Sequence, residues 1–488
     1  MSVQAAPNVQ AGSPLAQLPA EVLTRITRWI PTTGLSAVRQ TCKVIERKTF
    51  ASWSHEFFRK RQFMISTFSL QTLLDIARHA NLGPMVKHLC IATDKPIEIF
   101  RGSAANSLAA KRARQDQNYL LNTGVWIEML TEAFKMLPNL ETVDIRDFNS
   151  ATRFRDGPDA KWYSYGSTTL FSECGMRPAL GEGAFDLDRL FQGIVVAAGR
   201  AELTAPNLEV ITRNMALTDA FYVSPAIKPA VAKYLGQLKK LHLVLHSAVP
   251  EPLEDFLHLA KNITWLRVNH FGRASSDRFL EWLSTPCNND TMGDWAKAVA
   301  TATQEDKELP IAPLSLPLDT LELGGCLIYN ASLEGIVAKL PLRSLSMRRV
   351  QLCPDPKGNT TGLWSHFLES LEGGLIRRLH LSAVSESSSP GVWGQRVTFK
   401  GGRDPTELWL PARRYRREMF KSAAADTVVD LPLSDSTDGE DEGSEEDEDE
   451  VEEEDVDDED EVDADGAIGD GGNGPNSADG DVDMGGDD

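Results

Sequence analysis

LKKLHL at 238–243 and LDTLEL at 318–323 place apolar residues at the first, fourth and sixth positions of a six-residue window. Their last three residues alternate apolar, polar, apolar, the period-two signature of a strand that buries one face. The spacing recurs as VKHLCI (86–91), LETVDI (140–145), ITWLRV (263–268), LRSLSM (342–347) and IRRLHL (376–381), with a poorer copy, LEVITR (208–213), that fails at Arg213. In chain order the copies start 54, 68, 30, 25, 55, 24 and 34 residues apart. The gaps of 54 and 55 each fit either two units or one unit with an insertion. Helix-like segments lie between, among them GVWIEMLTEAFKMLPN (124–139) and PEPLEDFLHLAKN (250–262). A short strand cannot cover its own apolar face, so units of strand, turn and helix must stack on their neighbours.

The pattern resembles irregular leucine-rich repeats over about two thirds of the chain's body. The resemblance implies a curved solenoid, whereas an ordinary α/β domain is the other reading of a motif that also arises by chance. In each copy the residue between the last two apolar positions points away from the core. In order these are Cys90, Asp144, His242, Arg267, Glu322, Ser346 and His380. On a solenoid they fall on the concave face, whose mixed charge suits a protein partner better than nucleic acid. Asp144, His242, Arg267, Glu322 and His380 are the substrate-binding candidates. The segment IRDFNSATRFRDGPDAKWYSYG (145–166) interleaves arginines with aromatics, the residue types enriched at binding hot spots. It adds Arg153, Arg155 and Trp162 to the candidates, and its other reading is a long loop packed back by its aromatics.

A different signal stands near the N-terminus, at LPAEVLTRITRWIP (18–31). Pro19 suits a first helical turn, and Glu21 the positive end of a helix. Val22, Leu23, Ile26 and Ile30 follow at helical spacing, and Pro31 ends the helix. TTGLSAVRQTCKVIERKTF (32–50) supplies two more short helices, with Leu35 and Val38 on one and Val44, Ile45 and Phe50 on the other. Three short helices make a poor core and leave apolar surface for a partner or neighbouring domain. The order of residues from Leu15 to Phe50 resembles the F-box. That resemblance implies docking to a Skp-family adaptor, and through it to a cullin–RING ubiquitin ligase. The contacts carried over are Leu18, Pro19, Val22, Ile26, Leu35, Val38 and Val44. It also gives the repeats a task, holding a protein substrate. Catalysis is then by proximity, with no residue of this chain doing chemistry.

Charge divides the 488 residues sharply. Ser434–Asp488 holds 28 Asp and Glu and no Lys or Arg, while residues 1–433 carry 50 basic and 43 acidic side chains. The formal charge of −21 therefore describes a mildly basic body joined to an acidic tail. Such a tail cannot bury enough apolar surface to offset its chain entropy. The expected organisation is mixed α+β and α/β: a disordered start (1–14), a three-helix F-box (15–60), an irregular leucine-rich-repeat domain (61–425) and a disordered acidic tail (426–488). Repeats followed by an acidic tail also resemble the acidic leucine-rich nuclear phosphoproteins, which makes a scaffold or chaperone for basic proteins such as histones the rival function. LPARRYRREMFK (410–421) reads as a nuclear localisation signal, the charged face of a last helix, or an internal partner for the tail.

Other classes find little support. No apolar run nears the roughly 18 residues that span a bilayer. The N-terminus has no basic region followed by an apolar core, so the expectation is a cytoplasmic or nuclear protein. The six cysteines form no CxxC and read as reduced, mostly buried thiols. HLVLH (242–246) sets two histidines on one strand face without a neighbouring Cys or carboxylate of fitting spacing. No phosphate-binding loop, nucleophile elbow or zinc-protease motif occurs. An enzyme, a metal and a cofactor are not expected.

Overall fold

The structure is a computed structural model that describes residues 13–96, 104–149, 154–157, 160, 162–175, 177–180, 186–246, 253–275, 277–304, 310–355, 362–371, 374–387, 394–399, 406–410, 422–425 and 427–429. By internal contacts the chain divides into Met1–Pro432 and Leu433–Asp488, and every described residue lies in the first unit. The expectations for residues 1–12, Arg153, the basic run 411–421 and the acidic tail from 430 fall outside the described residues.

Fourteen strands form one sheet. They are β1 (Lys60–Met64), β2 (His88–Ala92), β3 (Thr142–Arg146), β4 (Asn207–Ile211), β5 (Lys240–His246), β6 (Trp265–Ser275), β7 (Thr320–Tyr329), β8 (Ser344–Arg348), β9 (Gln351–Cys353), β10 (Arg378–Ser382), β11 (Ser385–Glu386), β12 (Gln395–Phe399), β13 (Glu407–Leu410) and β14 (Thr427–Val429). From β1 to β8 each strand pairs in parallel with the next in sequence. At β7 the sheet forks. The first half of β7 pairs with β8, which leads through parallel β10 to antiparallel β13. The second half pairs with β9, then β11, and antiparallel β12 and β14 follow. The architecture is thus mixed α/β on a large, mostly parallel sheet.

Parallel neighbours require a crossover, and helices supply it here. Leu89, Val143, Leu208, Leu241, Leu266, Leu321, Leu345 and Leu379 lie side by side in the register, all buried. Seven of them are the fourth position of their sequence motif, while Leu208 is the first residue of LEVITR, and their row meets a layer of helices in one continuous core. Helix 67–78 packs on 125–135, that one on 187–201, and that on 228–235; helices 277–284, 330–339 and 363–370 continue likewise. Local caps start several of them. Ser66 accepts from the Ser69 N–H ahead of helix 67–78, and Asp186 from Arg189 N–H ahead of helix 187–201.

The long gaps resolve as single crossovers with insertions. β2 pairs directly with β3 although helix 104–123 intervenes besides 125–135, and β6 pairs with β7 across helix 289–304. At β4 the expected window LEVITR (208–213) is displaced by three residues: the register aligns 205–210 with the other copies, with Ala205, Leu208 and Val210 buried at the apolar positions and Arg213 beyond the ladder. β1 has no counterpart among the motif copies: KRQFM lacks their spacing.

Four helices precede the sheet: α1 (Pro14–Gln17), α2 (Ala20–Thr27), α3 (Thr32–Gln40) and α4 (Lys43–Phe58). The expected three helices are thus joined by one short turn. α1, α2 and α3 all pack on α4, with Leu23, Leu35 and Ile45 buried inside. α3 begins at Pro31, which offers no side-chain cap. The missing acceptor comes from far along the chain: the Thr32 N–H and hydroxyl both donate to the Asp156 carboxylate, at 2.8 and 2.6 Å. Beside it, Arg155 donates from Nη1 to the carbonyls of Thr27 and Ile30, each at 2.8 Å, and pairs with Glu56 of α4. A cation thus closes the carbonyl end of α2 and an anion the amide end of α3, as the helix dipoles favour.

Among the described residues no helix is long and apolar enough to cross a membrane. Four of the six cysteines are buried, Cys42 is half-buried and Cys287 is exposed; none forms a disulfide.

Candidate functional site

The sheet face opposite the helices carries the polar positions of the motif. Strand pairing lines up Cys90, Asp144, Glu209, His242, Arg267, Glu322, Ser346, His380 and Trp409 as one row across nine strands. A second row, two residues earlier in each strand, holds His88, Thr142, Asn207, Lys240, Trp265, Thr320, Ser344 and Arg378. The rows behave differently along their length, and the face falls into two halves.

From β2 to β5 it is closed. Cys90, Asp144, Glu209 and His242 are buried, so Asp144 and His242, expected on an open concave surface, are not available to a partner there. The Asp144 carboxylate receives Arg146 Nε at 2.5 Å, His88 Nε2 at 3.2 Å and the Cys90 thiol at 3.4 Å. Burial alone would raise this carboxyl, but Arg146 and His88 hold it well below the usual carboxylate range. The Cys90 thiol is pushed well up, by burial and then by Asp144. His242 is pushed well down, by burial and then by Arg267 and Lys240. Phe148 roofs this end: the guanidinium groups of Arg146 and Arg213 lie 5.3 and 4.4 Å from its ring centre, and Asp147 accepts the N–H groups of Arg213 and Asn214.

His88, Cys90 and Asp144 are also the one group among the described residues whose donor atoms are close enough to share a metal ion. The chemistry of the set argues for another role. The buried Arg146 guanidinium already neutralises the carboxylate that a cation would need. The trio is a buried hydrogen-bonded ion cluster whose bonds converge on Asp144 Oδ2, while Oδ1 meets no partner among the described residues. His242 and His246 of HLVLH do not join it, and His246 is exposed at the end of β5.

From β6 onward the face is open. Arg267, Glu322, Ser346 and His380 are half-buried, and Arg378 is exposed. Arg267 pairs with Glu322 at 3.5 Å, and His380 with Glu407 at 2.7 Å. Three of the five sheet candidates, Arg267, Glu322 and His380, therefore meet solvent side by side. The motif's third position faces the same way as its fifth, a signal that would have added Trp265 to the list. Trp409 lies on an antiparallel strand outside the motif, and the sequence carried no mark of its place.

The insertion serves the fold. Residues 162–166 lie along β1, with Tyr165 N–H donating to the Gln62 carbonyl at 2.8 Å, which covers the free edge of the sheet. The Arg155 side chain is buried in its clasp on α2 and is not a substrate contact. Trp162 is half-buried, with the Arg61 guanidinium 5.5 Å from its ring. Behind this segment Asp94 is fully buried, bonded to the Ser164 hydroxyl, and burial raises it to about 6.

On the N-terminal helices the expected adaptor contacts separate by exposure. Pro19, Val22, Ile26 and Val44 are exposed, and Leu18 and Val38 are half-buried. Leu35, expected among the contacts, is 2 % exposed and belongs to the core between α3 and α4. Trp29, not among the expected contacts, is 79 % exposed just past the end of α2. No family model matches this chain, and no curated protein matches it.

Proposed function

We propose that the chain is the substrate-recognition subunit of an SCF-type (Skp–cullin–F-box) ubiquitin ligase. In this reading the helices at 14–58 are an F-box, and the sheet domain is an irregular leucine-rich-repeat solenoid that holds a protein substrate. The chain is non-catalytic: it raises the effective concentration of substrate lysines near a ubiquitin thioester held elsewhere in the complex. It works in the cytoplasm, the nucleus or both.

One observation carries the reading. Val22, Ile26, Trp29 and Val44 are large apolar side chains left in solvent on helices whose other faces are packed. Val22 and Ile26 stand one turn apart on α2, with Trp29 following, the spacing of a helix that offers one face to a partner. Behind them Leu23, Leu35 and Ile45 pack closed, so among the described residues that surface is left uncovered.

The test is co-purification of the full chain with a Skp-family adaptor. A stoichiometric complex is expected by size exclusion, and Val22→Asp with Ile26→Lys should abolish it. Both positions are exposed, so the double variant should keep the wild-type circular dichroism and melting temperature. Capture that is unchanged in a folded double variant, or no capture by the wild type, would sink the docking claim. A chain that ran alone would turn attention to basic proteins such as histones as ligands of 434–488.

A further inference from the structure

The open half of the outer sheet face is built unlike the closed half. β7 and β8 present Thr320, Ser344 and Ser346, three short hydroxyl side chains, all half-buried. Indole rings flank them. Trp265 on β6 is 38 % exposed and Trp409 on β13 is 56 % exposed. Both rings are held in place. Trp265 donates Nε1–H to Glu322 at 2.7 Å, and Trp409 stands edge-on to His380 at 4.7 Å between ring centres. The result is a shallow trough between two tryptophans, floored by the three hydroxyls together with Glu322, Arg378 and His380. The order β6, β7, β8, β10, β13 puts four strand spacings between the two rings, about 19 Å at 4.8 Å each. An extended peptide covers that span in about six residues.

Charge selects the peptide. The trough's two carboxylates are engaged, Glu322 by Arg267 and Trp265, and Glu407 by His380. Arg378 stands exposed beside Ser344 in the second row. Where β8 and β10 begin, Arg343 and Arg377 are exposed, and Asp319, just before β7, lies 3.4 Å from Arg343. Arg343 and Arg377 also line a cleft of about 360 Å³ with Pro317, Pro341 and Leu375. Cationic groups next to exposed aromatics are what a segment mixing carboxylates with apolar side chains would meet.

We propose that the open half, from β6 to β13, binds an extended acidic peptide. Its apolar side chains would rest against Trp265 and Trp409, and its carboxylates or phosphates would face Arg378, Arg377 and Arg343. This deepens the reading above by naming the class of substrate segment the face takes. Single-stranded nucleic acid uses the same residue types but stacks bases on free ring faces. Here the Lys240 ammonium lies 4.0 Å from the centre of the Trp265 ring and occupies one face of it.

The experiment is fluorescence anisotropy with a labelled peptide of Glu alternating with Leu and Phe, beside a Lys-for-Glu peptide and oligo-dT. Residues 434–488 carry 28 acidic groups of their own, so a chain ending at Pro432 is measured with the full chain, and binding by either counts. The acidic peptide should bind at least tenfold tighter than both controls. Arg378→Glu and Trp409→Ala should each weaken it tenfold or more, with Trp409→Phe restoring most of the loss. Equal or tighter binding of oligo-dT or of the basic peptide overturns the proposal, as does acidic-peptide binding that neither variant weakens, or none by either chain. Adaptor capture is scored on the same samples. Capture without peptide binding removes this inference alone, and peptide binding without capture removes the ligase reading alone.

Discussion

His270 is a buried histidine in β6 whose two ring nitrogens meet no hydrogen-bond partner among the described residues. It continues the inward run Leu266, Val268, where an apolar residue would be expected. Burial lowers it from 6.5 to about 4, so the fold holds the neutral ring while the unfolded chain takes up a proton first. The contribution of His270 is then full above pH 6.5 and falls as pH drops from 6.5 toward 4, by up to about 3 kcal/mol, while the raised Asp94 carboxyl works in the opposite direction over the same range. His242 is pushed down as well and adds to the slope. His270→Leu should leave stability at pH 7.5 equal or higher and flatten the decline between pH 6.5 and 4.5. Urea melts at three pH values read this directly, and a slope as steep as wild type would refute it.

Between elements, the closest approach is set by a missing side chain. Helix 187–201 lies against helix 125–135 at Gly193, where a Cβ would sit 2.1 Å from the Trp126 ring. Trp126 is fully buried. Gly193→Ala gains helix propensity of about 1 kcal/mol, yet it must displace that ring. Overpacking of this kind costs about 1–3 kcal/mol, so the variant should melt lower than wild type. A higher melting temperature would mean the two helices part easily. The second joint is the Arg155–Asp156 clasp. Arg155→Ala removes the guanidinium from Glu56 and from the Ile30 carbonyl and leaves the Thr27 carbonyl only the Ile30 N–H, a loss of about 3 kcal/mol by the measure of buried pairs. The loss should be local: hydrogen exchange should quicken at 20–40 and remain slow in β2–β8. Uniform protection throughout would show that the clasp holds nothing.

At the scale of the molecule, the clasp joins the helices that start the chain to the sheet through residues 124–128 positions away. An exposed apolar helix face and an open sheet face are thereby carried on one body, which a tethering function requires. Arg155→Ala should therefore weaken adaptor capture less than the Val22→Asp, Ile26→Lys pair, because the contact residues themselves remain. Measuring both by co-purification ranks the contact against its support. The reverse order would mean that the clasp, and not the exposed face, carries the interaction.

Much of this was legible in the order of residues. The six-residue motif fixed seven strands and which side of each turns inward, because alternation is a local property of an extended chain. The helices at 18–50 were equally readable from their apolar spacing and prolines. What escaped was decided by neighbours remote in sequence. Asp144 and Glu322 occupy the same place in their motifs, yet Asp144 is buried against Arg146 and His88 while Glu322 meets solvent. Leu35 and Val22 are alike as apolar residues on short helices, and only packing on α4 makes one core and the other surface. Arg155 looked like a binding residue because its chemistry is that of one; its partners proved to be the chain's own helix end. Sequence period sets the direction of a side chain, through the geometry of its own strand or helix. Whether water or protein waits in that direction depends on contacts across the fold, and tertiary structure alone decides that.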